Sequence, residues 1–358
     1  MSRSTRNQVT IQDVARRAGV AKTTVSHAIS GKRPVAADTR ERIFAAMREM
    51  NFKPNPLARR LAGGSGRWIA LVYPLASPTM SAVELRFITS IAEVVNRSDY
   101  TFLTLSSPHV GLGDLHQIVM SGIIDGIILM RINMNDPRVE LLAREKIPFV
   151  MIGRTTNTQG VSYVDLDSTA AIEMGLAHLV KLGHTRMAFI HPDDLDFGFA
   201  RRLVDGYRNA CERRGLPVIA EPAELSDEAG YRAMIELLDG WPDISAVIVW
   251  SDVVASGAIR ALHERGRVIP DDMSVISFDR SAHLQLASSD LTIIDTRAEE
   301  VGATAARMLI DLLNGRMLEL HQVLVAPRII VGESTGSSPA NLMRSASRQT
   351  APSMLERG

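Results

Sequence analysis

Short apolar segments alternate with helical stretches through most of this 358-residue chain. Each segment is a nearly continuous run of apolar side chains, which is typical of strands that are buried on both faces of a parallel sheet. Two series of such segments predict two α/β lobes, each a parallel sheet flanked by helices. The segments are 69–73, 101–105, 126–130 and 149–152 in the first series, and 187–190, 246–250 and 275–278 in the second.

The last elements are expected to cross back between the lobes. A helix over 298–313 and a strand over 322–325 follow the second series. In open α/β sheets, ligands bind in the crevice at the carboxyl ends of the strands, which places a candidate site between the lobes. The expected boundaries of the two-lobed domain, 67–335, are about 67–165 plus 296–320 for the first lobe and 166–295 plus 321–335 for the second.

Charge divides the chain at about residue 67. Residues 1–67 hold fourteen Lys or Arg and four Asp or Glu, a net charge of +10. The whole chain has 40 residues of each sign, so the remainder carries −10. A basic end on a neutral chain indicates that this end contacts a polyanion and that the rest has a different task.

Composition and motifs exclude several classes of protein. The single cysteine, Cys211, rules out an internal disulfide and a cysteine-rich zinc site, as expected in a reducing compartment. No apolar stretch approaches the ~20 residues of a membrane span, and no secretory signal is recognisable. We therefore expect a cytoplasmic protein without membrane contact. The nine histidines lack metal-ligand spacing and no catalytic or phosphate-loop motif is present, so neither an enzyme nor a cofactor is predicted.

Residues 10–30 have the pattern of two helices joined by a tight turn. Thr10 is placed to cap the first helix and Asp13 to oppose its dipole, while Gly19 suits the left-handed residue that ends it. A second helix is predicted from about Lys22 to Ile29. Its outer face carries small and polar side chains, which suit contact with base edges in the major groove.

Two further helices are predicted in the basic end. One runs from Asp38 or Thr39 to Met50 and closes a small core. In the other, Asn55 is placed as the cap and Gly63 as the stop. Two turns of helix without a core are marginal in water, so we expect a partner helix and DNA to order it. The predicted units are a headpiece over 1–54 and a hinge helix with linker over 55–66.

This basic end resembles the DNA-binding headpiece and hinge of the LacI/GalR-type (lactose-repressor) family. The resemblance implies an all-α helix-turn-helix headpiece with a hinge helix, followed by a two-lobed α/β effector domain like the periplasmic binding proteins. The matching residues are Thr10, Asp13-Val14-Ala15, Ala18-Gly19-Val20, Thr24-Val25-Ser26, Thr39-Arg40, Asn51-Phe52, Pro54-Asn55 and Leu61-Ala62-Gly63.

The resemblance implies roles for individual residues of the basic end. In the family, the second helix enters the major groove and the hinge helices of a dimer meet in the minor groove, where a leucine wedges between base pairs. Carried over, Lys22, Thr23 and His27 read bases and Leu61 is the wedge. The other implied DNA contacts are Thr10, Thr24, Ser26, Thr39, Asn55 and Arg59.

Two positions of the headpiece depart from the family pattern. Ala21 stands where Ser or Thr is usual, which removes one helix cap and one phosphate contact. His27 stands where arginine is common, and histidine is a shorter reader with a titratable ring. We therefore expect the operator half-site to differ from that of arginine-bearing relatives.

In the lobes, the resemblance is carried by 164–167, 178–179, 182–184, 206–207 and 275–279. It implies an effector site in the cleft, where Asp279 accepts two sugar hydroxyls. Trp250 would stack on a sugar ring, and Ser251, where relatives have Asn, loses or reshapes one hydroxyl contact. The remaining candidates for the site are Arg154, Phe197 and Arg202.

Alternatives stay open at most of these positions. Asp279 can be a loop carboxylate that caps a helix, Trp250 a core aromatic and Arg154 a surface arginine. Relatives place a ligand-binding arginine three residues before the glycine at 206, where this chain has Leu203. Arg201 or Arg202 can take that role, although the register differs by one or two positions.

The resemblance implies a ligand-responsive transcription regulator, a repressor of a carbohydrate-use operon that a sugar-type inducer releases. It implies a homodimer on double-stranded, pseudo-palindromic operator DNA. The alternative is a corepressor-dependent regulator with a non-sugar ligand such as a purine. A sugar-binding transport component and an α/β enzyme are disfavoured by the basic headpiece and the missing catalytic groups. Residues 336–358 are expected to be a disordered tail without the leucine heptads of tetramers.

Overall fold

The computed structural model describes residues 9–30, 33–50, 52, 67–74, 80–106, 112–279, 290–316 and 321–339. Within these ranges a three-helix headpiece is followed by two α/β lobes. The fold class expected from the sequence is therefore confirmed. The expected hinge helix and most of the expected tail lie outside the described residues.

Three helices form the headpiece: α1 (Ile11–Ala18), α2 (Lys22–Ser30) and α3 (Ala37–Glu49). The predicted cap of α1 is present, because the Thr10 hydroxyl accepts from the Asp13 N–H (3.3 Å) and the Asp13 carboxylate accepts from the Thr10 N–H (2.9 Å). Gly19 ends the helix with φ of 66°. Helix α3 begins one or two residues earlier than predicted, which is within the usual uncertainty of a helix end.

The headpiece has its own small core. Each of the three helices contributes buried apolar side chains, so the unit closes without help from the lobes. Phe44 and Met50 are half-buried at its margin. The buried members are Val14, Ala15, Ala18, Val25, Ala28, Ile43, Ala46 and Met47.

The first lobe, here the N-lobe, contains a six-stranded parallel sheet of order β11-β5-β4-β3-β1-β2. Helices α4 and α11 cover one face and α5 and α6 the other. Its strands are β1 (Trp68–Tyr73), β2 (Thr101–Ser106), β3 (Gly126–Leu129), β4 (Phe149–Ile152), β5 (Tyr163–Leu166) and β11 (Gln322–Val325). Its helices are α4 (Ala82–Arg97), α5 (Leu112–Met120), α6 (Pro137–Arg144) and α11 (Ala298–Leu313).

The second lobe, here the C-lobe, has strand order β12-β10-β9-β8-β6-β7, and only β12 is antiparallel to its neighbour. Helices α7 and α8 cover one face and α9 and α10 the other. Its strands are β6 (Met187–Pro192), β7 (Ile219–Ala223), β8 (Ala246–Val249), β9 (Ser274–Phe278), β10 (Thr292–Asp295) and β12 (Arg328–Ile330). Its helices are α7 (Ser168–Lys181), α8 (Gly198–Arg213), α9 (Asp227–Gly240) and α10 (Asp252–Glu264).

The lobe boundaries differ from the sequence prediction in one strand. Residues 321–335 were expected in the second lobe, but β11 pairs with β5 in the N-lobe sheet, with Gln322 opposite Tyr163. The reason is that β5 would otherwise leave an open sheet edge, which β11 covers. The chain therefore crosses between the lobes after β5, after β10 and after β11.

The first residues of the expected disordered tail pack against the C-lobe. The buried His184 ring contacts the Gly336 carbonyl at 3.1 Å, and the Ser338 N–H donates to the Leu182 carbonyl at 3.0 Å. Ser338 is 2% exposed. The prediction of disorder from residue 336 was therefore wrong for this short stretch, where backbone groups find buried partners.

No helix in the described part of the chain is both long enough and apolar enough to cross a membrane.

Candidate DNA-reading face and effector cleft

Helix α2 presents the residues that were predicted to read DNA. Lys22 and Thr23 are exposed at its start, and Thr24, Ser26 and His27 are half-buried along the same helix. The opposite side of α2 buries Val25 and Ala28 in the headpiece core. This division of faces orients the polar side chains away from the core, as a helix that enters a groove requires.

Two other predicted DNA contacts are partly engaged inside the headpiece. The Thr10 hydroxyl donates to the Asp13 carboxylate at 2.6 Å as part of the α1 cap. The Thr39 hydroxyl accepts from the Arg42 guanidinium at 3.4 Å. Asn55, Arg59 and Leu61, the predicted hinge contacts, lie outside the described residues.

A cleft of about 950 Å³, its open mouth included, lies between the lobes at the carboxyl ends of the strands. Aromatic walls with a few convergent polar groups are typical of small-molecule sites. The aromatic lining residues are Phe87, Phe197, Phe199, Trp250 and Phe278, and the polar ones are Ser81, Glu84, Arg131, Asp165, Ser251, Asp279 and Thr296. No group of His, Cys, Asp and Glu side chains in the described ranges is arranged to hold a metal ion.

Four of the six predicted effector residues, Phe197, Trp250, Ser251 and Asp279, line this cleft. The other two, Arg154 and Arg202, are not lining residues. Their guanidinium groups lie beside the Asp165 carboxylate, at 3.3 Å and 3.1 Å. The structure thus brings four of the predicted residues to the cleft wall and the two arginines behind it.

Local structure explains the conformation of Trp250 and Ser251. The Trp250 indole N–H donates to the Ala223 carbonyl at 3.1 Å, which fixes the ring between the core and the cleft. Ser251 is the N-cap of α10, and its hydroxyl accepts from the Val253 N–H at 3.2 Å. The ring face therefore remains for a ligand, while the serine hydroxyl is already used in capping.

Leu203, where the family resemblance implies an arginine, is fully buried in the C-lobe core. Its neighbour Arg202 lies behind the cleft wall, where it donates to the Arg154 carbonyl at 3.2 Å. Of the two arginines that were predicted as alternatives, Arg202 is thus the one that the structure places against the N-lobe.

Aromatic side chains of the C-lobe form one wall. The Arg131 guanidinium of the N-lobe lies over the Phe197 ring, 4.7 Å from its centroid. Phe199 meets Phe278 edge to face at 6.2 Å between centroids. Flat apolar faces beside hydrogen-bonding groups can contact the C–H face and the hydroxyls of a sugar ring at once.

Asp279 is 3% exposed and adopts a left-handed backbone with φ of 55°. Its Oδ1 accepts from the Arg86 guanidinium at 2.5 Å and from the Thr296 N–H at 3.2 Å. Its Oδ2 accepts from the Thr296 hydroxyl at 2.7 Å. Burial raises the pKa of Asp279, and the contacts with Arg86 and Thr296 oppose that rise. Asp279 thus faces the cleft with several of its acceptor sites already filled.

Arg86 and Asp165 were missed by sequence reasoning. Arg86 lies on α4, where an arginine is ordinarily a solvated surface residue, so its partner across the cleft leaves no local signal. Asp165 lies within the matched stretch 164–167, but its position in a buried strand gave no indication of its charge partners. Burial raises the pKa of Asp165 to about 6, although Arg202 and Arg154 act to lower it.

Both the headpiece and the lobes are similar to known protein families. Residues 10–55 match the bacterial regulatory proteins of the lacI family, and residues 176–335 match the periplasmic binding protein-like domain. The solved complex of the transcriptional regulator CelR with cellobiose has a TM-score of 0.69 and 26% identity, covering 91% of this chain and all of that one. The lac repressor dimer bound to operator and the anti-inducer ONPF has a TM-score of 0.79 at 23% identity, covering 92% of this chain and all of that one.

One relative matches the headpiece and the lobes in a single span. The HTH-type transcriptional regulator AglR of Rhizobium meliloti (strain 1021) is 32% identical over 341 residues, which cover 92% of this chain and 95% of AglR. A match of this length leaves little of either protein outside it. The chain therefore belongs to the lacI family of bacterial regulatory proteins.

Proposed function

We propose that this protein is a homodimeric repressor that binds a pseudo-palindromic operator and leaves it when a neutral sugar occupies the cleft. The chain is a DNA-binding transcription regulator and not an enzyme. The sugar, the dimer and the symmetry of the operator are the parts that we propose.

The observation that carries the DNA-binding part is the outer face of α2. Lys22 and Thr23 are exposed on a helix whose other side is anchored in a closed core. The basic charge of residues 1–67 adds a sequence-independent attraction to phosphates that weakens with salt. One headpiece reads one half-site, so a symmetric operator requires two copies of the chain.

The cleft supports a neutral sugar as the effector. Two of its acidic side chains are already paired with arginines, Asp279 with Arg86 and Asp165 with Arg202. The aromatic wall supplies the flat apolar surface that a sugar ring needs. The structure of CelR, which contains cellobiose, further supports this class of ligand for a domain of the same fold.

Two experiments on the full chain test the proposal. The first selects duplexes from a random library, and we expect enrichment of a two-fold symmetric sequence. A K22A/T23A variant should lose the sequence preference, whereas an R97Q variant, altered on an exposed face of α4, should keep it. Enrichment without symmetry would contradict the dimeric part of the proposal.

The second experiment screens ligands by thermal shift, because a specific ligand raises stability by mass action. Cellobiose, other disaccharides, sugar phosphates and nucleobases are compared. We expect a neutral disaccharide to raise the melting temperature and to weaken binding to the selected operator. A nucleobase that raises the melting temperature and tightens operator binding would instead establish the corepressor alternative.

A further inference from the structure

We propose that Arg86 is an internal competitor of the effector: it occupies the Asp279 carboxylate and ties the two lobes together until a ligand displaces it. The identity of the cleft as an effector site rests on the proposed function. The tie between the lobes is a property of the ligand-free protein and is tested without any sugar.

Arg86 and Asp279 lie on opposite sides of the cleft. Arg86 belongs to α4 of the N-lobe, and Asp279 follows β9 of the C-lobe, 193 residues later in the chain. The two side chains meet at 2.5 Å, and the Asp279 side chain is only 4% exposed. A charged contact at this burial is weakly screened by solvent, and removal of one partner would leave the other as an unpaired buried charge.

Asp279 has too few hydrogen-bond acceptor sites to bind Arg86 and a sugar fully at the same time. An ionised carboxylate offers about four acceptor sites, two on each oxygen. Arg86 and the Thr296 N–H fill both sites on Oδ1, and the Thr296 hydroxyl fills one on Oδ2. One site remains for a ligand. A sugar that presents two hydroxyls to Asp279 needs a second site. The Thr296 N–H is held by the backbone between β10 and α11, so we infer that Arg86, the partner from the other lobe, is the group that leaves.

Arg86 has a second carboxylate to contact after such an exchange. Its Nη1 lies 3.5 Å from Glu299, in the first turn of α11. Arg86 and Glu299 both belong to the N-lobe, so release from Asp279 breaks the link between the lobes and leaves the guanidinium paired. The Arg86 side chain is 31% exposed, which leaves room for the movement.

The arginine of the other ion pair between the lobes is held by more than one group of the facing lobe. Within the described part of the chain, two ion pairs join the lobes, Arg86–Asp279 and Arg202–Asp165. Arg202 also donates to the Arg154 carbonyl at 3.2 Å, so two groups of the N-lobe fix it. The exchangeable contact between the lobes is therefore that of Arg86.

The test measures the distance between the lobes in the ligand-free full chain by pulsed EPR. Spin labels are attached at Gln117→Cys on α5 and Asn209→Cys on α8, both exposed positions, while the native Cys211 is 1% exposed and does not compete for label. Both R86M and R86Q should give a longer or broader distance distribution than the wild type. D279N should give the same change, and R86M/D279N no further change.

The matched control is R97Q on the same helix, since Arg97 pairs within α4, with Glu93. Its distribution should coincide with that of the wild type. The proposal is overturned if R86M and R86Q also coincide with the wild type, or if the changes in R86M and D279N add in the double variant. Two neutral replacements are used so that misfolding of one leaves the other as the test.

The competition itself is measured with cellobiose as the probe by isothermal titration. R86M should bind cellobiose about tenfold more tightly than the wild type, D279N more weakly, and R97Q equally. Equal affinities of R86M and the wild type would contradict the competition. If cellobiose bound to no variant, it would be excluded as the effector, while the distance measurement on the ligand-free protein would still decide the tie between the lobes.

Discussion

The headpiece and the effector cleft present their polar groups in opposite ways. On α2, Lys22 and Thr23 are exposed, so DNA adds contacts without removing any from the protein. In the cleft, Asp279 and Asp165 already contact arginines from the facing lobe or loop. A ligand that needs two acceptor sites of Asp279 must therefore exchange contacts, and this exchange can change how the lobes sit relative to each other.

The comparison is tested most severely by destroying the headpiece alone. Val25 is 0% exposed in a core of eight buried residues, so V25D places an unpaired charge where no partner exists and should unfold the headpiece. Affinity for duplex DNA should fall by a factor of about 10³ or more, whereas the melting temperature of the lobes should stay unchanged. The two quantities are measured by fluorescence anisotropy and calorimetry.

The control for this variant is R48A on α3, because Arg48 is exposed and lies away from the headpiece core. R48A should keep the fold and most of the affinity for duplex DNA. If V25D still bound duplex DNA, the lobes would have to make the DNA contact. That result would contradict the assignment of DNA binding to the headpiece.

Asp165 gives a prediction on the pH dependence of the effector domain. Its pKa is raised from 3.8 to about 6, so the folded protein holds this proton more tightly than the unfolded chain. The contribution of Asp165 to stability therefore falls as pH rises from about 4 to about 6. The free energy of unfolding of D165N minus that of the wild type should increase across this range, by about 1–3 kcal/mol.

The matched control for D165N is D239N. Arg265 contacts the exposed Asp239 at 2.6 Å and lowers its pKa, so the corresponding difference should be small and of the opposite sign. Urea unfolding between pH 4 and pH 7 measures both. A difference for D165N that is flat with pH would mean that the Asp165 carboxylate titrates as it does in the unfolded chain.

His27 sharpens the comparison at the level of single bases. A longer and permanently charged side chain at this position should reach a different base edge, so H27R should change the selected half-site at one or two positions. The preference for the wild-type operator should fall by about 1–3 kcal/mol per altered base pair. An unaltered half-site in parallel library selections would show that His27 does not read bases.

Thr10 gives the smallest expected effect. T10A removes the hydroxyl that caps α1 and should destabilise the headpiece by about 1 kcal/mol, while T10S should retain the cap. Hydrogen exchange at the amides of Val14, Ala15 and Ala18 in the DNA-free protein reports this loss. Equal exchange in T10A and the wild type would mean that Asp13 and the helix dipole hold the first turn without the hydroxyl.

Local signals in the sequence predicted much of the fold. Four predicted features agree with the structure, because the pattern of each is set by residues close together in the chain. They are the cap at Thr10, the stop at Gly19, strand 149–152 and helix 298–313. Helix α6 was not predicted, although Asp136 followed by a proline is a recognisable helix start, and the Asp136 carboxylate indeed accepts from the Arg138 N–H.

The elements that sequence reasoning missed depend on distant partners. Strand β7 lies at the edge of its sheet and contains Pro222, a residue that only an edge strand tolerates. A proline within a short segment argues against a strand, so the sequence did not predict β7. Strand β11 belongs to the N-lobe because it pairs with the edge of β5, which would otherwise be open. The contact of Arg86 with Asp279 joins residues 193 positions apart, and no local pattern specifies it. The cleft was therefore located from the sequence, but its charge pairing was not.

The central claim, that the cleft controls the headpiece, is tested most directly by the affinity of the full chain for its selected operator as a function of sugar concentration. Measured by fluorescence anisotropy with the disaccharide that stabilises the protein, operator affinity should fall at least about tenfold at saturation. V25D should not bind the operator at any sugar concentration. An operator affinity that stayed constant while the sugar was bound would contradict the claim.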